Sequence, residues 1–171
     1  ANNTIVEFYM SATDAQGLNR TWPRAAIAAA DGAGPTGQVV NALFQIDSTV
    51  YAPTNAQPLF KLIMTANEAA ELAAIPGIST LQGPNATMNG SFVSIDGSGT
   101  EFFYSVGFRN RGHGSRRANP PNYRVEFRND DRWKGVEAIN FNAQYVHVQH
   151  LGSVLARKAG VEGANTYAAQ V

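Results

Sequence analysis

Hydrophobic and polar positions alternate along "IVEFYMSAT": Val6, Phe8, Met10 and Ala12 share one side, and Glu7, Tyr9 and Ser11 the other. That period of two predicts a strand with one buried face. Asp14 to Gly17 reads as a turn. Residues 25–37, "AAIAAADGAGPTG", are small and rich in Gly and Pro with no period, which predicts a long loop. A second strand comes in "VVNALFQI", with Val40, Ala42, Phe44 and Ile46 on one face. Two strands cannot bury both faces by themselves. The pair therefore either closes a β-sandwich or packs onto the C-terminal remainder of the chain.

"YAPTNAQP", residues 51–58, carries two prolines among polar residues and reads as a linker. "LFKLIM" is a strand. In "TANEAAELAAIPG" the T-x-x-E spacing of Thr65 and Glu68 is that of a capping box, each side chain serving the other's backbone N–H. A helix is expected over 66–75, stopped by Pro76-Gly77. "SFVSIDGSGTEFFYSVGFRNR" predicts a hairpin turning at Asp96 to Gly99. Its second strand places Phe102, Tyr104, Val106 and Phe108 on one face, and Phe103, Ser105, Gly107, Arg109 and Arg111 on the other. "YRVEF" points Tyr123, Val125 and Phe127 inward and Arg124 and Glu126 outward, and "VEAINF" is a further short strand. "NAQYVHVQHLGSVLARKAG" spaces Tyr145, Val148, Leu151, Leu155 and Ala159 as a helix does. Arg157 and Lys158 lie in its last turn and Gly160 at its C-cap. The expected class is α+β: an antiparallel sheet with two main helices, near 66–75 and 143–159, plus an N-terminal β-sandwich-like strand pair. The divisions are 1–49 for the pair, 50–58 for the linker and 59–171 for the remainder.

With 171 residues, 44% of them hydrophobic, the chain can bury a core. It has no cysteine, so disulfides and thiolate metal sites are excluded. No run approaches the roughly 18 apolar residues of a membrane helix, and the N-terminus lacks the order of a signal peptide. The expectation is a soluble segment cut from something longer, with no membrane partner. Zero net charge argues against nonspecific nucleic-acid binding. Yet between Arg109 and Lys134 eight basic side chains stand against three acidic ones, a local excess of five.

That excess surrounds the turn "RGHGSRR". Glycines let backbone N–H groups approach an anion, and arginines on one strand face supply paired donors to phosphate oxygens. Arg109 and Arg111 are expected on one face beside Arg124 of the next strand, in a concave basic patch. Like charges so close need an anion, or an acid such as Glu126, between them. Taken alone, the residues favour a solvated hairpin tip whose glycines serve only positive φ and whose arginines serve solubility; a nucleotide phosphate is the other candidate for what the stretch holds. His147 and His150 lie at i, i+3 but have no third ligand at metal spacing. Asp130-Asp131 beside Arg128 and Arg132 read as self-neutralised turn residues. Trp22 and Trp133 could stack on a base, although burial is the commoner role. Sequons occur at Asn2, Asn19, Asn85 and Asn89. No Ser/His/Asp arrangement is legible, and no catalytic residue is assigned.

The runs "LFKLIMTANEAAELA", "VGFRNRGHGS", "NYRVEF" and "GVEAINFNAQYVHVQHLGSVLARKAGV", in that order, resemble the N-terminal half of the spore coat protein H (CotH) kinase-like family, over about residues 57–171. In that family a strand ending in an R-G-N-S-like turn leads to a strand written K-x-Y-x-L-x-F. A short N-L element comes next, then a helix rich in Leu and Arg that ends at A-G-hydrophobic. The stretch before it resembles the last strands of the immunoglobulin-like sandwiches that often precede such domains in secreted bacterial proteins. The resemblance implies an atypical protein kinase that binds ATP and Mg or Mn between two lobes and phosphorylates a serine of a protein substrate. It also implies an extracellular or cell-surface bacterial setting. Carried over, the matched positions are Arg111, Gly112, Gly114 and Ser115 in the turn, Tyr123, Arg124 and Phe127 in the next strand, and Asn140 before the helix. Arg109, Arg111, Gly112, Gly114, Ser115 and Arg124 are then the candidate nucleotide-binding residues. His113 stands where the family commonly has asparagine, and Pro121 and Asn122 replace a lysine-rich approach to the strand. The family's acidic metal ligands lie further along such chains than Val171, so residues 1–171 alone are expected not to transfer phosphate. The other class kept open is a noncatalytic structural or adhesion module of a large extracellular protein, joined to other domains or to a surface assembly.

Overall fold

The computed structural model describes residues 2–24, 40–51, 57–78, 85–112 and 114–171, without the side chains of 76–78, 114 and 117. The expected loop 25–37, the middle of the expected linker (52–56) and His113 lie outside the described residues. The chain is α+β. In the N-terminal part, β1 (Ile5–Phe8), β2 (Met10–Thr13), β3 (Asn19–Trp22) and β4 (Ala42–Gln45) form two antiparallel pairs, β1 with β4 and β2 with β3. The turn between β2 and β3 is closed by Asp14, whose Oδ1 accepts the N–H groups of Gln16 (2.9 Å) and Leu18 (2.8 Å). Then come β5 (Leu59–Ile63), α1 (Ala66–Ile78), β6 (Met88–Asp96), β7 (Gly99–Asn110), β8 (Tyr123–Glu126), β9 (Ala138–Phe141) and α2 (Val146–Lys158). Strands β5 to β9 make one antiparallel sheet in chain order.

The β6–β7 hairpin turns where expected, with Asp96 Oδ1 accepting the N–H of Ser98 at 2.8 Å. Its alternation, however, breaks once. Gly90 pairs with Val106 but Phe92 pairs with Phe103, so β7 carries an extra residue, and Ser105 sits there with φ of 53°. A bulge reverses which parity faces the core. Phe103, Val106 and Phe108 are therefore buried, whereas Phe102 is 50% exposed and Tyr104 points to the opposite face. The expected placement of Phe102 and Tyr104 with Val106 and Phe108 is corrected by this bulge, as is that of Phe103 beside Arg109.

On the core face, Phe60, Phe92, Phe103, Phe127 and Trp133 pack with Leu72 and Ile75 of α1. The helix begins as its cap predicts, Glu68 N–H donating to Thr65 Oγ1 at 3.2 Å. The Glu68 carboxylate, though, does not return to Thr65; its Oε2 accepts the N–H of Asn89 on β6 at 3.1 Å and ties the helix to the sheet. Nor does α1 stop before Pro76: it runs to Ile78. Proline has no N–H for the carbonyl four residues back, which is that of Leu72. Asn110, 5% exposed at the end of β7, donates its Nδ2 to that carbonyl at 2.6 Å. The helix continues past proline because the sheet supplies the missing donor.

The opposite face of β5 and β6 is covered by the N-terminal strands, through Leu43 against Ile63 and Val93. Phe8 and Trp22 both pack edge-on to Tyr104, at 5.7 and 5.8 Å between ring centroids, and the Lys61 ammonium pairs with Asp47. Of the two expectations for this strand pair, packing onto the C-terminal remainder of the chain is the one seen. The single face expected for Val40, Ala42, Phe44 and Ile46 is not: Ala42 and Leu43 are fully buried, and Val40 and Ile46 are exposed. Met10 is likewise exposed, because β2 leaves β4 to pair with β3.

Helix α2 forms within the expected 143–159 but starts only at Val146, after Tyr145 with φ of 51°, and Gly160 follows its end with φ of 76°. The helix meets the tail where His150 Nδ1 and Thr166 Oγ1 lie 3.0 Å apart. The tail then returns to the sheet: Gln170 N–H donates to Pro58 O and Phe60 N–H to Gln170 O, both at 2.9 Å. No residue of α2 is buried, and Val148, Leu151 and Leu155 are 56–69% exposed.

Candidate anion-binding face

Antiparallel pairing of β7 and β8 sets Arg109 directly opposite Arg124, and β9 sets Asn140 opposite Arg124. Phe108, Val125 and Phe127 are drawn into the core, so Arg109, Arg124 and Glu126 are left on the outer face. Two guanidinium groups facing each other across a ladder repel. Glu126 compensates them: its Oε1 accepts the Nε–H of Arg109 at 3.0 Å and of Arg124 at 2.9 Å. The three side chains are 23%, 32% and 39% exposed. Burial pushes the Glu126 carboxyl up, but the two arginine hydrogen bonds and charges outweigh it and hold it below its ordinary value. The Nη atoms of Arg109 and Arg124 have no protein partner among the described residues.

Arg111 lies just past the end of β7. Its N–H donates to Asn122 O at 2.9 Å, and its guanidinium Nη1 donates to Asn142 Oδ1. Asn142 in turn donates to Gln149 of α2 at 2.7 Å. Asn122, 5% exposed, accepts the N–H of Ala143 at 2.8 Å and fixes the chain before α2. Arg109, Arg111 and Arg124 against Glu126 leave two positive charges on this face. Arg128, beyond Glu126, belongs to a different pairing: it binds Asp130 at 3.0 and 2.6 Å and covers the Trp22 ring at 6.0 Å.

The glycine turn folds upon itself. A Cβ on Gly112 would lie 2.1 Å from Ser115 Oγ, and its φ is 108°. Arg116 Nε–H donates to Gly112 O at 2.8 Å, while its Nη2 reaches Asn85. Gly114 and Ser115 belong to the 3-10 turn Gly114–Arg117. The glycine at 112 thus makes room for Ser115. The arginines of the sheet face and the turn residues are neighbours along the chain.

Of the other candidates, Trp133 is 5% exposed and lies in the core, its Nε1 without a partner; Trp22 is half-buried in the aromatic cluster. Tyr123 and Phe127 pack in the core, and Asn140 is exposed. His147 and His150 are both exposed on α2. The sequon amides are engaged: Asn2 with Ser48, Asn19 with Ser11 and Thr13, Asn85 with Arg116, and Asn89 with Asn41. Among the described residues no group of three or more His, Asp or Glu could hold a metal ion. Asn110 and Asn142 had no signal in the sequence, since a polar residue at a strand end reads as solvent-facing.

No protein-family model matches the chain, and no curated protein and no solved structure matches it.

Proposed function

We propose that residues 59–171 are the phosphate-holding part of a CotH-like, ATP-dependent protein kinase domain of a secreted bacterial protein. The observation that carries the reading is the cross-strand pair Arg109 and Arg124, with Arg111 beside it, on an outer sheet face that keeps a surplus of two positive charges. Guanidinium groups offer paired N–H donors that match phosphate oxygens. Their role is to bind and orient the nucleotide phosphates. Gly112, Gly114 and Ser115 shape the turn that ends this face. The implied metal would supply neutralisation of the charge developing on the phosphates; this chain's residues supply only positioning, so affinity for ATP is low. Calorimetric titration of the chain with ATP at low ionic strength should give a dissociation constant on the order of millimolar, weakening steeply with salt. In R109Q/R124Q the heat should vanish. Equal binding by that variant would remove the reading.

A noncatalytic assembly module is the second reading, favoured by the exposed apolar stripe of Val148, Leu151 and Leu155 on α2. It predicts self-association in sedimentation equilibrium that is lost in L151Q/L155Q; a monomer at every concentration would count against it.

A further inference from the structure

Glu126 does more than neutralise. Both Arg109 and Arg124 turn their Nε–H toward the same oxygen, Oε1, at 3.0 and 2.9 Å. An internal carboxylate thus occupies the place between two guanidinium groups where an external anion would gain most. The other donors of both arginines remain without protein partners among the described residues, so the site is half used, not closed. We propose that Glu126 is a built-in competitor for phosphate: it holds the arginine pair aligned when no ligand is bound, and it sets the affinity low because an incoming phosphate must share or displace it. The inference rests on the phosphate reading of this face.

The chemistry separates alignment from competition. Gln at 126 keeps an acceptor oxygen for the two Nε–H groups but removes the negative charge. One unit charge at contact distance from a bound phosphate, half screened by water, changes affinity about three- to tenfold. Inorganic pyrophosphate is the probe, because it carries the charge without a base or sugar. Calorimetry should show E126Q binding pyrophosphate about three- to tenfold tighter than the wild-type chain. E137Q removes the same charge at Glu137, an exposed partner of Arg132, and should bind as wild type does. E126A, which lacks the acceptor, should gain less than E126Q because the arginines lose their alignment. Wild-type binding that is unchanged or weakened in a folded E126Q, or an equal gain in E137Q, overturns the competitor role and leaves the phosphate reading standing. Absence of pyrophosphate binding in both the wild-type chain and E126Q overturns both.

Discussion

Replacing Asn110 by Ala removes the donor that replaces the one Pro76 lacks. Leu72 is 2% exposed, so its carbonyl would be stranded away from water once the 2.6 Å bond from Asn110 is gone. An unsatisfied buried carbonyl costs about 1–3 kcal/mol; with the space left by the truncated side chain, a loss of about 2 kcal/mol is expected. For a chain of this size that corresponds to a melting temperature lower by about 4–8 °C. The assay is urea unfolding followed by the fluorescence of buried Trp133, in N110A, P76A and the double variant. Alanine at 76 returns an N–H to the Leu72 carbonyl. N110A should therefore cost at least about 1 kcal/mol less in the P76A background than alone. Equal losses in both backgrounds, within about 0.5 kcal/mol, would refute the reasoning.

Gly112→Ala should lower the thermal midpoint by the equivalent of about 1–3 kcal/mol, because it meets both an unfavourable φ and the Ser115 hydroxyl. S115A in the same chain relieves the collision alone, so it should recover only part of the loss. Asp96 gives a pH signature. Bonds from Lys134 and Ser98 lower its carboxyl from 3.8 to about 2. A depressed folded value means stability that is complete above the unfolded value and fades as pH falls through the folded one. The wild-type unfolding free energy from urea titration should thus drop between pH 4 and pH 2 by more than that of D96N, by on the order of 1 kcal/mol once solvent at half-exposed Lys134 is allowed for. Parallel curves for the two would contradict it.

The alternation in "YRVEF" and the spacing in "VHVQHLGSVLARK" were enough to place β8 and α2, since both patterns are local. The same alternation misassigned Phe102 and Tyr104, because a one-residue bulge at Ser105 is set by pairing with β6 and leaves no mark in β7 itself. Helix α1 outran its proline because Asn110, a residue 34 positions away, supplies a hydrogen bond that no local rule contains. At the candidate site, the juxtaposition of Arg109 and Arg124 followed from parity once β7 and β8 were taken as neighbours. The convergence of both on one oxygen of Glu126 did not, since register and rotamers decide it. For "RGHGSRR" the phosphate reading came with the family resemblance; that the room at Gly112 is filled by Ser115 had no signal in the sequence.

The central claim is that Arg109, Arg111 and Arg124 together hold phosphate. Arginine Nε–H groups give resolvable nitrogen–proton correlations by NMR, so a titration of the labelled chain with ATP at low ionic strength tests it directly. The account predicts that the Nε–H signals of these three arginines move together along one saturable curve, while that of Arg157 on α2 stays in place. Shifts confined to other arginines, or none at millimolar ATP, would contradict it.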